Sequence, residues 1–223
     1  MFSPQVKQVT AIHLAAWFSS TSVVRVLVEA GANINVRDHL HMTPLHYAAQ
    51  HNTFDVVNFL IDNGANVKAA DKNGNTALDF AAEKGDIRVV KLIIASGADV
   101  NAALLVAAKQ KDASVVKILL DSGGDVQAVD NLKRSPLHLA VMENCVGVVK
   151  ILIENGADVR AVDKNNLTPL HIAARQNRGA DVIGALVDAG AVVDAGDSIQ
   201  STAREIFEKA QKALNTVGKK SKS

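Results

Sequence analysis

The amino-acid sequence predicts an all-α solenoid of stacked helix pairs joined by β-hairpin finger loops, and three observations carry that prediction. A seven-residue word, Thr43-Pro44-Leu45-His46-Tyr47-Ala48-Ala49, returns as Thr10 to Ala16, Thr76 to Ala82, Ser135 to Val141 and Thr168 to Ala174. The step is 33 residues from Thr10 to Thr43 and on to Thr76, and 33 again from Ser135 to Thr168, a period that marks stacking supersecondary units. Each word is followed by an apolar run at helical spacing and then by a single glycine. Hydrophobic residues make up 48% of the chain and aromatics only 4%, so the core must be built from Ala, Val, Leu and Ile, which suits thin layers of short helices.

In the first unit Thr10 opens a helix whose apolar positions Ile12, Ala15 and Ala16 share one face, and Ser19 to Ser22 interrupts it. A second helix carries Val23, Val24, Leu27 and Val28 and stops at Gly31, where the missing Cβ permits the left-handed conformation. In the second unit Thr43 caps the helix and Pro44 sits in the first turn, where its missing N–H costs nothing. Asn52 closes that helix where Gly85 stands in the third unit. The following helix is expected to bury Val56, Val57, Leu60 and Ile61 before Gly64, and Asp71-Lys72-Asn73-Gly74 turns the chain into Thr76. The third unit continues through Val89, Val90, Ile93 and Ile94 to Gly97.

The fourth unit departs from the pattern. Only 26 residues separate Gly97 from Gly123, the shortfall lies after Asn101, and Ala102 to Leu105 stands where the capping word should be. One finger is therefore deleted, and a gap or local bend in the row of fingers is expected. The fifth unit (Ser135 to Gly156) and the sixth (Thr168 to Gly190) restore the pattern, with one extra residue near Asn177 to Ala180. Gln200 to Phe207 is a degraded copy of the word and reads as a C-terminal cap with a polar outer face.

With these residues in hand, the chain resembles the ankyrin-repeat family: the Thr-Pro-Leu-His-x-Ala-Ala word, the Val-Val-x-x-Leu-Ile second helix, and Gly-Ala-Asn/Asp-Val after it. The resemblance covers nearly the whole chain. It implies one repeat domain over 1–215, with units of about 1–35, 36–68, 69–101, 102–127, 128–160 and 161–194, a cap at 195–215 and a disordered basic tail at 216–223. It also implies that ligands lie on the fingers and inner helices, on a rigid concave surface. Asn35 and Asn101 stand where related proteins can be modified by an asparaginyl hydroxylase; the plainer reading is that Asn suits a turn by bonding its own backbone.

Composition narrows the function. Formal charge is +1, but residues 204–223 carry six basic and two acidic residues, which leaves the body mildly acidic. That disfavours nucleic acid as ligand of the repeats, since phosphate binding needs a clustered positive face. The lone Cys145 excludes an internal disulfide framework and points to a reducing, cytoplasmic setting. Residues 1–9 lack the apolar run of a signal peptide, and no stretch approaches a membrane span. Lys219, Lys220 and Lys222 fall short of a membrane-docking basic cluster.

Four histidines, His13, His46, His138 and His171, share one place in the word and read as ties between neighbouring units. His39, His41 and His51 could meet as metal ligands, but no carboxylate or cysteine at ligand spacing supports them. No nucleophile elbow or glycine-rich phosphate loop is present. No cofactor, metal, small-molecule substrate or enzymatic activity is expected, and the free chain should be monomeric.

The positive signal lies in positions the repeat leaves free. At the ends of the first helices these are Trp17, Phe18, His51, Lys84, Met142 and Arg175; on the fingers they are His39, Leu40, Met42, Lys72, Asn73, Asn75, Leu132, Arg134 and Leu167. Trp17, Phe18, Leu40, Met42, Leu132 and Leu167 are apolar with no evident duty in the core, so exposed they would form an interaction surface for another protein. Trp17 and Phe18 also admit a plainer reading, as a cover for the open end of the solenoid.

Overall fold

The computed structural model describes residues 8–51, 53–176 and 179–192, which contain twelve α-helices and no strand. The expectations for Asn52, for residues 177 and 178, and for the C-terminal cap and tail lie outside the described residues. The chain divides into two compact units, Met1–Ala107 with Asp121–Gly123, and Ala108–Leu120 with Gly124–Ser223.

The first unit holds three helix pairs: α1 (Ala11–Trp17) with α2 (Thr21–Glu29), α3 (Pro44–Gln50) with α4 (Phe54–Asp62), and α5 (Ala77–Lys84) with α6 (Ile87–Ala95). The first helices pack in the row α1, α3, α5 and the second helices in the row α2, α4, α6. α7 (Asn101–Gln110) begins in this unit and ends in the next. The second unit continues with α8 (Ala113–Asp121) and the pairs α9 (Pro136–Met142) with α10 (Val146–Glu154) and α11 (Pro169–Arg175) with α12 (Ala180–Asp188). There α9 packs on α11 and α10 on α12.

Burial follows the sequence pattern. Leu45, Ala48 and Ala49, with Val56, Val57 and Leu60, have essentially no exposed surface, and neither do Leu137, Ala140, Val141, Val148, Val149 and Leu152 in the second unit. The alanine pair that ends four of the five words, replaced by Ala140-Val141 in the fifth unit, lets the first helices approach closely, while the leucines supply the apolar burial, about 1.5–3 kcal/mol for each large side chain. One expectation needs correction. Ile61 is only half-buried, one step round the helix from the buried stripe. Val23 is 48% exposed where Val56, Val89, Val148 and Val182 at the same register are fully buried, because no described unit packs in front of the first pair.

The helix caps explain the word. The Thr43 N–H donates to Nδ1 of His46 at 3.0 Å, so that nitrogen is an acceptor and the proton sits on Nε2. Nε2 then donates to the Asn75 carbonyl of the next finger, 3.2 Å away. His13 does the same with Thr10 and the Met42 carbonyl, and His138 with Ser135 and the Leu167 carbonyl. Burial, partly opposed by these carbonyl bonds and nearby carboxylates, holds the pKa of all three imidazoles below the ordinary value. The neutral ring, one acceptor and one donor, is the form that fits both bonds.

Asp79 replaces the histidine in the third unit. Its Oδ2 accepts from the Thr76 N–H at 2.6 Å and the Thr76 hydroxyl at 2.8 Å, preserving the cap. Its Oδ1 is buried with no partner among the described residues. Position 108, which lies 29 residues on as Met42, Asn75 and Leu167 do from their histidines, falls inside α7. The deleted finger thus leaves no finger residue corresponding to Met42, Asn75 and Leu167. Burial pushes the Asp79 carboxyl up, the bonds from Thr76 oppose this, and the Asp71 and Asp99 charges add to the rise.

Two predictions follow from this packing. Leu60→Ala and Leu152→Ala should each cost roughly 2–5 kcal/mol in denaturant unfolding; a loss near zero would contradict the register. A raised carboxyl pKa means the folded chain binds more protons than the unfolded one, so the Asp79 contribution is lost as pH rises through its folded pKa. The stability of Asp79→Asn relative to the parent should therefore climb as pH rises from about 4 through the raised folded pKa, and a pH-independent difference would contradict the raised carboxyl pKa.

Candidate interaction surface

The fingers are fixed by a carboxylate that recurs four times. Asp38 Oδ1 accepts from the N–H groups of Leu40 and Met42, both at 2.8 Å. Asp71 serves Asn73 and Asn75, Asp130 serves Leu132 and Arg134, and Asp163 serves Asn165 and Leu167, all at 3.0 Å or less. Each loop is closed by two backbone bonds, Asp38 N–H to Met42 O and His41 N–H to Asp38 O, both at 3.0 Å, with equivalents at Asp71, Asp130 and Asp163. The fingers are therefore five-residue turns rather than strand pairs. Successive fingers are joined within each unit: Lys72 N–H donates to the Leu40 carbonyl, and Lys164 N–H to the Leu132 carbonyl, each at 2.9 Å.

The fourth residue of every finger is left-handed: His41 (φ +61°), Gly74 (+88°), Lys133 (+56°) and Asn166 (+59°). Glycine satisfies this only at Gly74. A side chain there costs about 1–2 kcal/mol, which the surrounding bonds sustain.

In the first unit the residues expected to form a surface separate into distinct places. Trp17, 40% exposed, stacks against His51 with ring centroids 4.2 Å apart and lies 5.6 Å from Tyr47. Tyr47 is buried and its hydroxyl donates to Asp38 Oδ2 at 2.8 Å; burial, together with that bond and charge, raises its pKa. Trp17 is thus tied to the second repeat's helix and, through Tyr47, to the carboxylate that shapes the first finger. Phe18, 73% exposed, faces a different way and lines an apolar groove with Ala11, Leu14, Val23 and Leu27. His39, Leu40, Lys72, Asn73 and Lys84 are exposed, and Lys84 lies 4.0 Å from Glu83. Asn75 is half-buried with its carbonyl held by His46.

Met42 must be corrected: it is buried, 8% exposed. It immediately precedes the cap residue, and its N–H and carbonyl are held by Asp38 and His13. Met42 therefore leaves the exposed set. In the second unit Leu132 is 46% exposed and Arg175 is exposed, while Leu167 and Met142 are half-buried. Arg134 Nη2 pairs with Asp130 at 2.6 Å and Nη1 approaches the Met142 sulfur at 3.8 Å. Burial alone would push the Asp130 carboxyl up, but the bonds and charge from Arg134 outweigh it and hold the carboxyl low.

Sequence reasoning missed Val129 and Val162, which are 56% and 47% exposed just before the finger aspartates; a hydrophobic residue at a position filled by Arg37 and Ala70 in other units was the available signal. It also misjudged Asn35. Its side chain bonds the next unit's loop, donating to the Gly64 carbonyl at 3.0 Å and accepting from the Asn66 N–H at 2.7 Å, and Gln127 does the same at Gly156 and Asp158. Asn101 instead begins α7, its N–H bonded to Asp99. Cys145 caps α10 and its thiol approaches the Lys111 carbonyl at 3.7 Å. Among the described residues no group of three His, Cys, Asp or Glu side chains is placed to hold a metal ion, and no helix is long and apolar enough to cross a membrane.

Comparison with known proteins agrees with this geometry. A family model described as ankyrin repeats (3 copies) matches residues 12–103 and again 104–197. The human ASB11 ankyrin repeat domain superposes with a TM-score of 0.77 at 25% identity, covering 87% of this chain and 96% of that one. The ankyrin repeat domain of Bcl-3, a member of the IkappaB protein family, gives 0.71 at 31% identity over 81% and 82% of the two chains. An ankyrin repeat domain from Acinetobacter baumannii AYE gives 0.72 at 26% identity over 80% and 97%. Comparison with curated protein sequences gives no match. With two matched blocks that together span most of its length, the chain belongs to the ankyrin-repeat family.

Proposed function

We propose that this chain is a non-enzymatic protein-binding module whose finger tips and first-helix ends form a preformed contact surface. Ankyrin-repeat domains are in general protein-interaction modules, and one observation supports that reading for these particular residues. Every finger backbone is locked by an aspartate and by a bond to its neighbour, while the side chains at the tips, Leu40 and Leu132 among them, remain exposed. Such an arrangement orders the binding groups before the partner arrives, which lowers the entropic cost of association. A standard interface would bury about 800 Å² on this side. The aromatic pair Trp17 and His51 supplies the kind of anchor that dominates interface energies.

The proposal predicts that the triple variant Trp17→Ala, Leu40→Ala and Leu132→Ala loses at least about tenfold in affinity for captured partner proteins, with helix content and melting nearly unchanged. Quantitative pull-down beside circular dichroism would test this. If binding persists the surface lies elsewhere, and if melting collapses the three residues belong to the core.

A further inference from the structure

The second unit separates its charge. On the fingers and first-helix ends stand six basic residues, Lys109, Lys111, Lys133, Arg134, Lys164 and Arg175, against three acidic ones, Asp130, Glu143 and Asp163. Over the rest of the unit's described residues the balance inverts, with Lys117, Lys150 and Arg160 against six acidic residues. The unit is electrically neutral as a whole, so its total charge hides this polarity.

The three carboxylates on the basic side are already engaged. Asp130 holds Arg134 at 2.6 Å, Glu143 holds Lys111 at 3.5 Å, and buried Asp163 accepts from the N–H groups of Asn165 and Leu167. Lys109, Lys133, Lys164 and Arg175 are exposed, and none lies within ion-pair distance of a carboxylate among the described residues. Lys133 also occupies the left-handed finger position that Gly74 fills without strain in the first unit. Interleaved with these cations are the exposed aliphatic side chains of Val129, Leu132 and Val162, on the same two fingers.

We infer that this face binds an acidic segment of a partner protein, with aspartate or glutamate side chains opposite Lys133, Lys164 and Arg175 and aliphatic side chains against Val129, Leu132 and Val162. This rests on the protein-binding reading above and adds the chemistry of the partner. Four exposed cations without a carboxylate partner among the described residues attract any anion, and the interleaved aliphatics decide between the two macromolecular classes. Single-stranded nucleic acid calls for aromatic platforms on which bases stack, and these fingers carry none. An acidic peptide with apolar anchors satisfies both the charge and the hydrophobic surface.

The test is selection of a random twelve-residue peptide library on the intact chain, followed by affinity measurement of the enriched peptides at two salt concentrations. Enriched peptides should be acidic and contain aliphatic residues, and higher salt should weaken them. The variant Lys133→Glu/Lys164→Glu should lose at least about tenfold, while Lys117→Glu/Lys150→Glu, which changes net charge equally on the other side, should bind as the parent does. Matching circular dichroism and melting would show that both variants fold. Neutral or basic peptides, or equal affinity for the finger variant, would overturn this inference and leave the protein-binding reading standing. A library that yields no peptide at all would remove both. Tighter binding of a mixed-sequence oligonucleotide than of any peptide, abolished in the finger variant, would reassign the face to nucleic acid and overturn it.

Discussion

A neutral imidazole that accepts with one nitrogen and donates with the other is the contact on which the rest of this structure depends. Nδ1 of His46 takes the N–H that α3 cannot satisfy internally, and Nε2 fixes the carbonyl at the base of the next finger. One side chain therefore ends a local problem, the orphan donor of a helix start, and a non-local one, the placement of a loop 29 residues away. Protonation would put a donor where an acceptor is required. Since burial lowers these pKa values, the stabilisation is complete above about pH 6.5 and is lost as pH falls through the lowered range.

The remaining polar contacts work in the same economy. Each finger has its N–H groups gathered by one aspartate and its flank joined to a neighbouring finger, and three of the four, at Met42, Asn75 and Leu167, have their base held by a histidine. Backbone donors and acceptors are consumed by structure, which leaves the tips free to vary in chemistry without loss of fold. The third repeat shows the dependence from the other side. Where the finger is missing the histidine is missing too, and Asp79 keeps the local half of the arrangement, at the expense of a buried oxygen without a partner among the described residues.

Much of this was legible in the sequence, because a 33-residue step and a capping word fix where helices begin and the glycines fix where they end. The deleted finger after Asn101 was visible as a shortfall in spacing, and α7 does begin there. What escaped was side-chain direction at finger bases. Met42, Leu167 and Asn75 occupy one register and share the same His and Asp bonds, yet only Met42 is buried, a difference that spacing does not encode. The cross-tie from Asn35 to Gly64 and Asn66 escaped for the same reason: it joins loops that are distant in sequence. His41 and Lys133 were hidden because glycine is the expected sign of a left-handed residue, and neither is glycine.

The most direct test of this account is a long-range proton–nitrogen correlation spectrum of the histidine side chains, followed from pH 8 to pH 5. The account predicts that His13, His46 and His138 carry their proton on Nε2 alone, with Nδ1 unprotonated, and that this pattern persists below about pH 6.5, the ordinary imidazole value. A mixture of tautomers at these three residues, or protonation of their rings at or above about pH 6.5, would contradict it.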